Sequence, residues 1–242
     1  MMKTWAITDV GLVRKENQDA YRIARGGDVC VVCDGMGGAA GGQIASTLAA
    51  ETYAAELEKI LKPDMTPEQL REASSYAVAM AKQAVGKRVT EDDELSNMGT
   101  TLVSAIAYEG GAVVTNVGDS RAYYITRAGI TRITKDHSLV ESMVDHGDIT
   151  ADEARHHPSR NLITRALGRD TNASCDGYIR PMEKGDYLLL CTDGLVNTVT
   201  DQEMLFEVLH GQDEDSCLHR LMEIAKSQGA PDNVTAVLMR ML

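Results

Sequence analysis

The sequence predicts an α+β fold, with mostly antiparallel strands in two sheets and helices on the outside. Three observations point there. Strand-like runs do not alternate regularly with helices, as a parallel sheet would require. Several runs are joined by short turn signals, Glu109-Gly110 and Arg127-Ala128-Gly129 among them. Two long helical patterns follow one another directly between groups of strands. The length of 242 residues fits one domain, read here as residues 1–242. Hydrophobic content of 43% is enough for a sizeable core. With one Trp and one Phe, that core must be made of Val, Ile, Leu, Ala and Met.

The elements follow in order. Residues 3–9 and 19–25 read as short strands flanking the loop VGLVRKENQ, and 28–33 as a buried strand. A glycine-rich turn at 35–42 follows. From Gln43 to about Leu61 the pattern is helical, with Ile44, Leu48, Ala49, Thr52, Ala55 and Leu57 on one side. Lys62-Pro63 stops it. Thr66-Pro67-Glu68 starts a second helix, to about Val89, with a cap and an early proline. Strands are expected at 100–108, 111–117, 121–126 and 130–134. Residues 137–172 are charged and histidine-bearing, with short helical stretches at 138–147 and 151–156; they read as a surface flap. Strands at 186–191 and 234–240 bracket helices at about 201–209 and 214–228.

Composition excludes several function classes. A net charge of −12 argues against a broad nucleic-acid or anionic-membrane surface. The N-terminus MMKTWAITDVG has no long apolar run, and nothing approaches the roughly 20 apolar residues of a membrane span. A cytoplasmic location is expected. The five cysteines are an odd number, which suits reduced thiols. Cys30 and Cys33 form a CxxC inside a strand, where positions three apart face opposite ways, so zinc or redox chemistry is not expected there.

Four aspartates sit where apolar runs end: Asp34 in VCVVCDGMGG, Asp119 in VGDSRAYY, Asp193 in LLLCTDGL and Asp232 in GAPDNVTAV. Asp-Gly is also an ordinary turn pair. Four acidic turns gathered together would repel, however, and need a cation among them. Oxygen ligands of this kind suit Mg²⁺, Mn²⁺ or Ca²⁺. Gly35 brings a backbone carbonyl close to such an ion. Two divalent ions sharing a bridging carboxylate and a bridging hydroxide would stabilise both oxygens of a phosphoryl displacement.

Two other readings of the glycine-rich segment fail. No Lys-Ser/Thr follows Gly41-Gly42, so it is not a P-loop. Gly35 to Ala40 fits GxGxxA, but the chain stays helical to about residue 61 where a dinucleotide fold needs a second parallel strand.

The ordered set TDVGLVRKENQDAY, VCDGMGG, GTTLV, VGDSRAY, DHS, LITRALG, LLLCTDGL and PDNVTAV resembles one family closely. From Thr8 to Leu238 the chain is similar to bacterial metal-dependent protein phosphatases, the type 2C Ser/Thr phosphatases. The resemblance implies a central β-sandwich of two mainly antiparallel sheets, flanked by helices, with residues 137–172 as a flap. It implies Mn²⁺ or Mg²⁺ as cofactor, two catalytic ions and a weaker third. Asp34 would bridge the two ions, with the Gly35 carbonyl at the second. Asp193 and Asp232 would bind the first. Asp19 would hold a metal-bound water, and Asp119 would form the third site with Asp193. Arg14 would bind the substrate phosphate, which suits its planar fork.

The implied reaction is hydrolysis of phosphoserine and phosphothreonine in proteins by a metal-bridging hydroxide, opposing a Ser/Thr kinase. A monomer is expected, without nucleic-acid or membrane partners. Ser120, Arg121, Asn161 and Arg165 are read as structural, and Asn233 as orienting its neighbour. The six histidines, at 137, 146, 156, 157, 210 and 219, read as surface or flap residues, none beside an acidic turn. One position departs from the family. Ala39 stands where members often carry a histidine that protonates the leaving seryl oxygen, and alanine cannot do so. The alternative implied by that departure is an impaired enzyme acting as a phosphoprotein-binding regulator.

Overall fold

The computed structural model describes residues 2–38, 41–168 and 174–242. The N-terminal part runs β1 (Met2–Asp9), β2 (Asp19–Ala24), β3 (Val29–Met36), α1 (Gly41–Ile60) and α2 (Pro67–Glu91). Five strands follow: β4 (Gly99–Thr100), β5 (Leu102–Tyr108), β6 (Gly111–Val117), β7 (Arg121–Thr126) and β8 (Gly129–Arg132). Two short helices, α3 (Leu139–His146) and α4 (Ala151–His156), lead to β9 (Asp176–Pro181) and β10 (Tyr187–Cys191). The chain ends with α5 (Asp193–Val196), α6 (Asp201–His210), α7 (Glu214–Ser227) and β11 (Val234–Met241).

One sheet has the order β1-β11-β10-β7-β8, the other β2-β3-β5-β6-β9, with β4 continuing beside β3. Every strand pair described is antiparallel. This removes the dinucleotide-fold reading, which needs parallel strands.

Period-two alternation sorts the side chains into layers. Cys30, Val32, Val103 and Val114 face inward, against Leu188, Leu190, Val237 and Met239 of the other sheet. Their neighbours Val31, Cys33, Leu102 and Ile106 face outward and meet α1 and α2. Tyr123, Ile125, Leu189 and Leu238 meet α6 and α7 on the opposite side. The two thiols of the CxxC therefore lie in different layers, as strand geometry requires. The expected sandwich flanked by helices is present. No described helix is long and apolar enough to cross a membrane.

Four details differ from the sequence reading. The buried face of α1 is Ala45, Ala49, Tyr53 and Leu57, and Ala55 is exposed. The small side chains let α1 approach the sheet closely, so the larger Ile44 and Leu48 sit at its margin. Its one large buried polar group is satisfied: the Tyr53 hydroxyl bonds Ser74 and Ser104, both at 2.7 Å, and Ser74 bonds Thr115 at 2.6 Å. This chain of hydroxyls pins both helices to β5 and β6. Strand β3 runs on through Asp34 and Gly35 to Met36, because Gly35 still pairs with Thr100. Strand β9 was not expected; it is an edge strand whose burial alternates and which ends at Pro181. Finally, Asp232 lies before β11, not after an apolar run.

Candidate active site

Sheet pairing sets the first two carboxylates. Asp19 and Asp34 are direct partners across β2 and β3, on the same face. Like charges so placed destabilise a ladder unless something compensates them. The backbone around Asp34 is held from below. Its N–H donates to the Thr101 hydroxyl at 2.9 Å, and its carbonyl accepts from the Thr101 N–H and the Thr100 hydroxyl, both at 2.9 Å. Thr101 also bonds Ser120 at 2.7 Å, which ties the Asp119 turn to the same frame.

Gly35 has no room for a side chain. A Cβ there would lie 2.0 Å from the Gly42 carbonyl oxygen, where α1 begins. The next carboxylate, Asp193, opens α5 directly after β10. Asn197 donates to its Oδ2 at 3.1 Å, and Thr192, just before it, donates its hydroxyl to Asp19 Oδ2 at 2.9 Å.

Asp232 is placed by its neighbour. The Asn233 amide donates to the carbonyls of Val10 at 3.0 Å and Glu16 at 2.9 Å, and accepts from the Gln18 N–H at 2.8 Å. One buried side chain thus cinches residues 10–18 against the entry to β11. Arg14 rides on that loop and donates to Asp232 Oδ2 at 2.7 Å.

These segments enclose a cleft of about 600 Å³. Arg14, Lys15, Asp34, Gly35, Asp119, Asp193 and Asp232 line it, with Asn161 and Ile163 from the segment after α4. Asp19 does not line it; it sits beside Asp34 across the β2–β3 pair. Asn161 is therefore a cleft residue, contrary to its structural reading. Arg121 is structural as expected, gripping Asp136 through Nε and Nη2.

His137 corrects the reading of the histidines. It is buried at 6% exposure, and its Nδ1 accepts the Gly118 N–H at 3.1 Å, next to Asp119. Its Nε2 lies 3.1 Å from Asp176, which Arg165 also bonds at 3.1 Å. The Thr164 N–H donates to the His137 carbonyl at 2.7 Å. His137 therefore joins the segment around Thr164 to the Asp119 turn. Ala39 lies outside the described residues.

The electrostatics are those of a site that wants a cation. Burial, followed by repulsion from Asp19 and Asp193, holds Asp34 well above the ordinary carboxylate range. Asp193 is raised by burial and by Asp232, partly offset by hydrogen bonds from Asp34 and Asn197. Asp19 and Asp119 are raised chiefly by burial. One oxygen each of Asp19 and Asp193 is buried without a hydrogen-bond partner.

Among the described residues, no three Asp, Glu, His or Cys side chains gather closely enough to hold one ion by themselves. Mg²⁺-type ions ordinarily take only one or two carboxylates and keep several waters, so such a dedicated cage is not required. Orphaned carboxylate oxygens and the nearby Gly35 carbonyl make an all-oxygen donor set that fits such ions.

Known proteins are similar to this chain over nearly its whole length. The family model for protein phosphatase 2C matches residues 13–239. The serine/threonine protein phosphatase PstP of Mycobacterium tuberculosis is 38% identical over 235 residues, covering 96% of this chain. The chain spans only 44% of that relative's length. Serine/threonine phosphatase stp of Listeria monocytogenes is 32% identical, covering 96% of this chain and 93% of its own. The catalytic domain of PstP, solved in complex with two manganese ions, superposes with a TM-score of 0.86 at 33% identity, covering 99% of this chain and 97% of its own. Fold, carboxylate cleft and near full-length similarity agree: the chain belongs to the protein phosphatase 2C family.

Proposed function

We propose that this chain is a Mn²⁺- or Mg²⁺-dependent phosphatase that hydrolyses phosphoserine and phosphothreonine in proteins. The observation that carries the proposal is the convergence of Asp34, Asp119, Asp193 and Asp232, from four separate segments, on one cleft beside Arg14. In this reading Asp34, the Gly35 carbonyl, Asp193 and Asp232 hold two ions. Asp119 with Asp193 holds a third, and Asp19 steadies the first two from beside Asp34, its Oδ2 fixed by Thr192. When bound, the ions would neutralise phosphate charge and supply a water acidic enough to attack at neutral pH.

The protein's own part is positioning. Arg14 can exchange Asp232 for a phosphate, since its planar fork fits either anion. Asn233 keeps Arg14 over the cleft, and Thr100 and Thr101 keep Asp34 beneath it. The whole chain acts as one catalytic domain, with residues 137–168, the described part of the expected 137–172 flap, beside the cleft; residues 169–172 lie outside the described residues. The substrates are phosphoproteins made by a Ser/Thr kinase.

The test is phosphate release from a phosphothreonine peptide with Mn²⁺ and with EDTA, using Asp193→Asn as control. Metal-dependent release that the substitution abolishes is expected. Metal binding by calorimetry without release would instead identify a phosphoprotein-binding regulator, the reading that Ala39 leaves open.

A further inference from the structure

The two most exposed large apolar side chains among the described residues are neighbours: Val13 at 68% and Leu12 at 61%. They sit directly before Arg14 and Lys15, which line the cleft. Isolated exposed apolar residues are ordinary on protein surfaces. This pair is not on a loose loop. The Leu12 N–H donates to the Ala230 carbonyl at 2.9 Å, and the Gly11 N–H to Asp9 at 2.9 Å. Asn233 grips the same loop at Val10, Glu16 and Gln18. The backbone is pinned on both sides of the pair, so the pair is held out in water.

A second segment repeats the pattern. Asn161 and Ile163 line the cleft, and Leu162 between them is 54% exposed. Its carbonyl accepts the Leu139 N–H at 2.8 Å, which ties that segment to the start of α3. Two segments that line an acidic cleft thus carry exposed aliphatic side chains.

We infer that Leu12 and Val13 form a docking rim for the polypeptide that carries the phosphoresidue, selecting substrates with aliphatic residues beside it. The inference rests on the phosphatase reading of the cleft. A free phosphate or a small phosphate ester would fill the cleft without touching the rim. An extended peptide advances about 3.3 Å per residue, so its first few flanking residues pass over the rim as it leaves. The rim itself carries no charge, so an apolar flank gains contact area there and an acidic flank would lose hydration without gaining a partner from it. The substrate class is therefore a phosphothreonine or phosphoserine segment with apolar, non-acidic neighbours.

The test uses two phosphothreonine peptides that differ only in flanking residues, leucine in one and aspartate in the other. p-Nitrophenyl phosphate, with Mn²⁺, is the probe without flanks. The wild-type chain should favour the leucine peptide by about tenfold in kcat/KM, mostly through KM, the scale on which apolar contacts discriminate. The double substitution Leu12→Ser with Val13→Ser should remove that preference and leave p-nitrophenyl phosphate turnover unchanged. Turnover of the aryl ester with no preference between peptides would overturn this inference alone. A preference that survives the double substitution would also overturn it. No Mn²⁺-dependent turnover of the aryl ester would overturn the phosphatase reading and this inference together.

Discussion

Asn233→Asp is a nearly isosteric change with a large expected effect. The oxygen that accepts the Gln18 N–H at 2.8 Å is retained. The amide nitrogen that donates to Val10 at 3.0 Å and Glu16 at 2.9 Å becomes an oxygen, so two carbonyls face a carboxylate. Leaving a buried acceptor unpaired costs about 1–3 kcal/mol. Two such losses set a range of about 2–6 kcal/mol, less whatever the loop recovers by moving away. For a chain of this size about 3 kcal/mol lowers the melting temperature by roughly 6–12 °C. Movement of the loop relieves the repulsion and carries Arg14 with it. The KM for p-nitrophenyl phosphate should then rise at least about tenfold, the equivalent of 1.4 kcal/mol, with a smaller change in kcat. Melting curves and steady-state kinetics read the two effects separately. A melting temperature within 1 °C of wild type with unchanged KM would refute the view that this amide holds the loop, about 1 °C being well below the shift worked above.

Two other outcomes follow from the same geometry. Burial raises Asp19 and Asp119 from 3.8 to about 7, so these two groups bind more protons in the folded chain than in the unfolded one between those values; their contribution to stability is complete below about pH 4 and is lost as pH rises through 7. In EDTA the protein should therefore melt at a lower temperature at pH 8 than at pH 5, with Mn²⁺ reversing the loss at pH 8; a rise from pH 5 to pH 8 in EDTA would contradict the buried carboxylate cluster. Gly35→Ala should cost at least about 3 kcal/mol in urea denaturation, since its Cβ would meet backbone oxygens of Gly42 at 2.0 Å and Gln18 at 2.6 Å; an unchanged midpoint would show that β3 and α1 do not cross so closely.

The framework and the acidic residues were legible because they sit in or beside strongly apolar strands bounded by glycine turns. Asp34 and Asp193 announce themselves in that way. Asp19 does so only through the motif around it, because its partnership with Asp34 is a matter of register between β2 and β3. Asn233 was legible as orienting its neighbour, but its clasp on residues 10–18 was hidden because its three partners lie more than 200 positions away, and no local pattern encodes such a contact. His137 looked like a flap histidine because its neighbours are polar; its burial comes from Gly118 and Asp176, neither of them near it in sequence. Strand β9 escaped notice because an edge strand needs to bury only one side, and YIRP has little apolar signal. The face of α1 was misjudged because helix-to-sheet contact here favours small side chains over large ones.

The pairing of β1 with β11, Met2 opposite Met241, has a consequence for biosynthesis. A chain made from its N-terminus has Arg14, Asp19 and Asp34 in place long before Asp193 and Asp232 are added. The five-stranded sheet keeps a gap between β1 and β10 until Val234–Met241 arrives to fill it. Asn233 cannot clasp the Arg14 loop before then. Contacts so distant in sequence form late and slowly. A nascent chain still short of β11 lacks both Asp232 and the Asn233 clasp, so the acidic cleft can assemble only once β11 has been made.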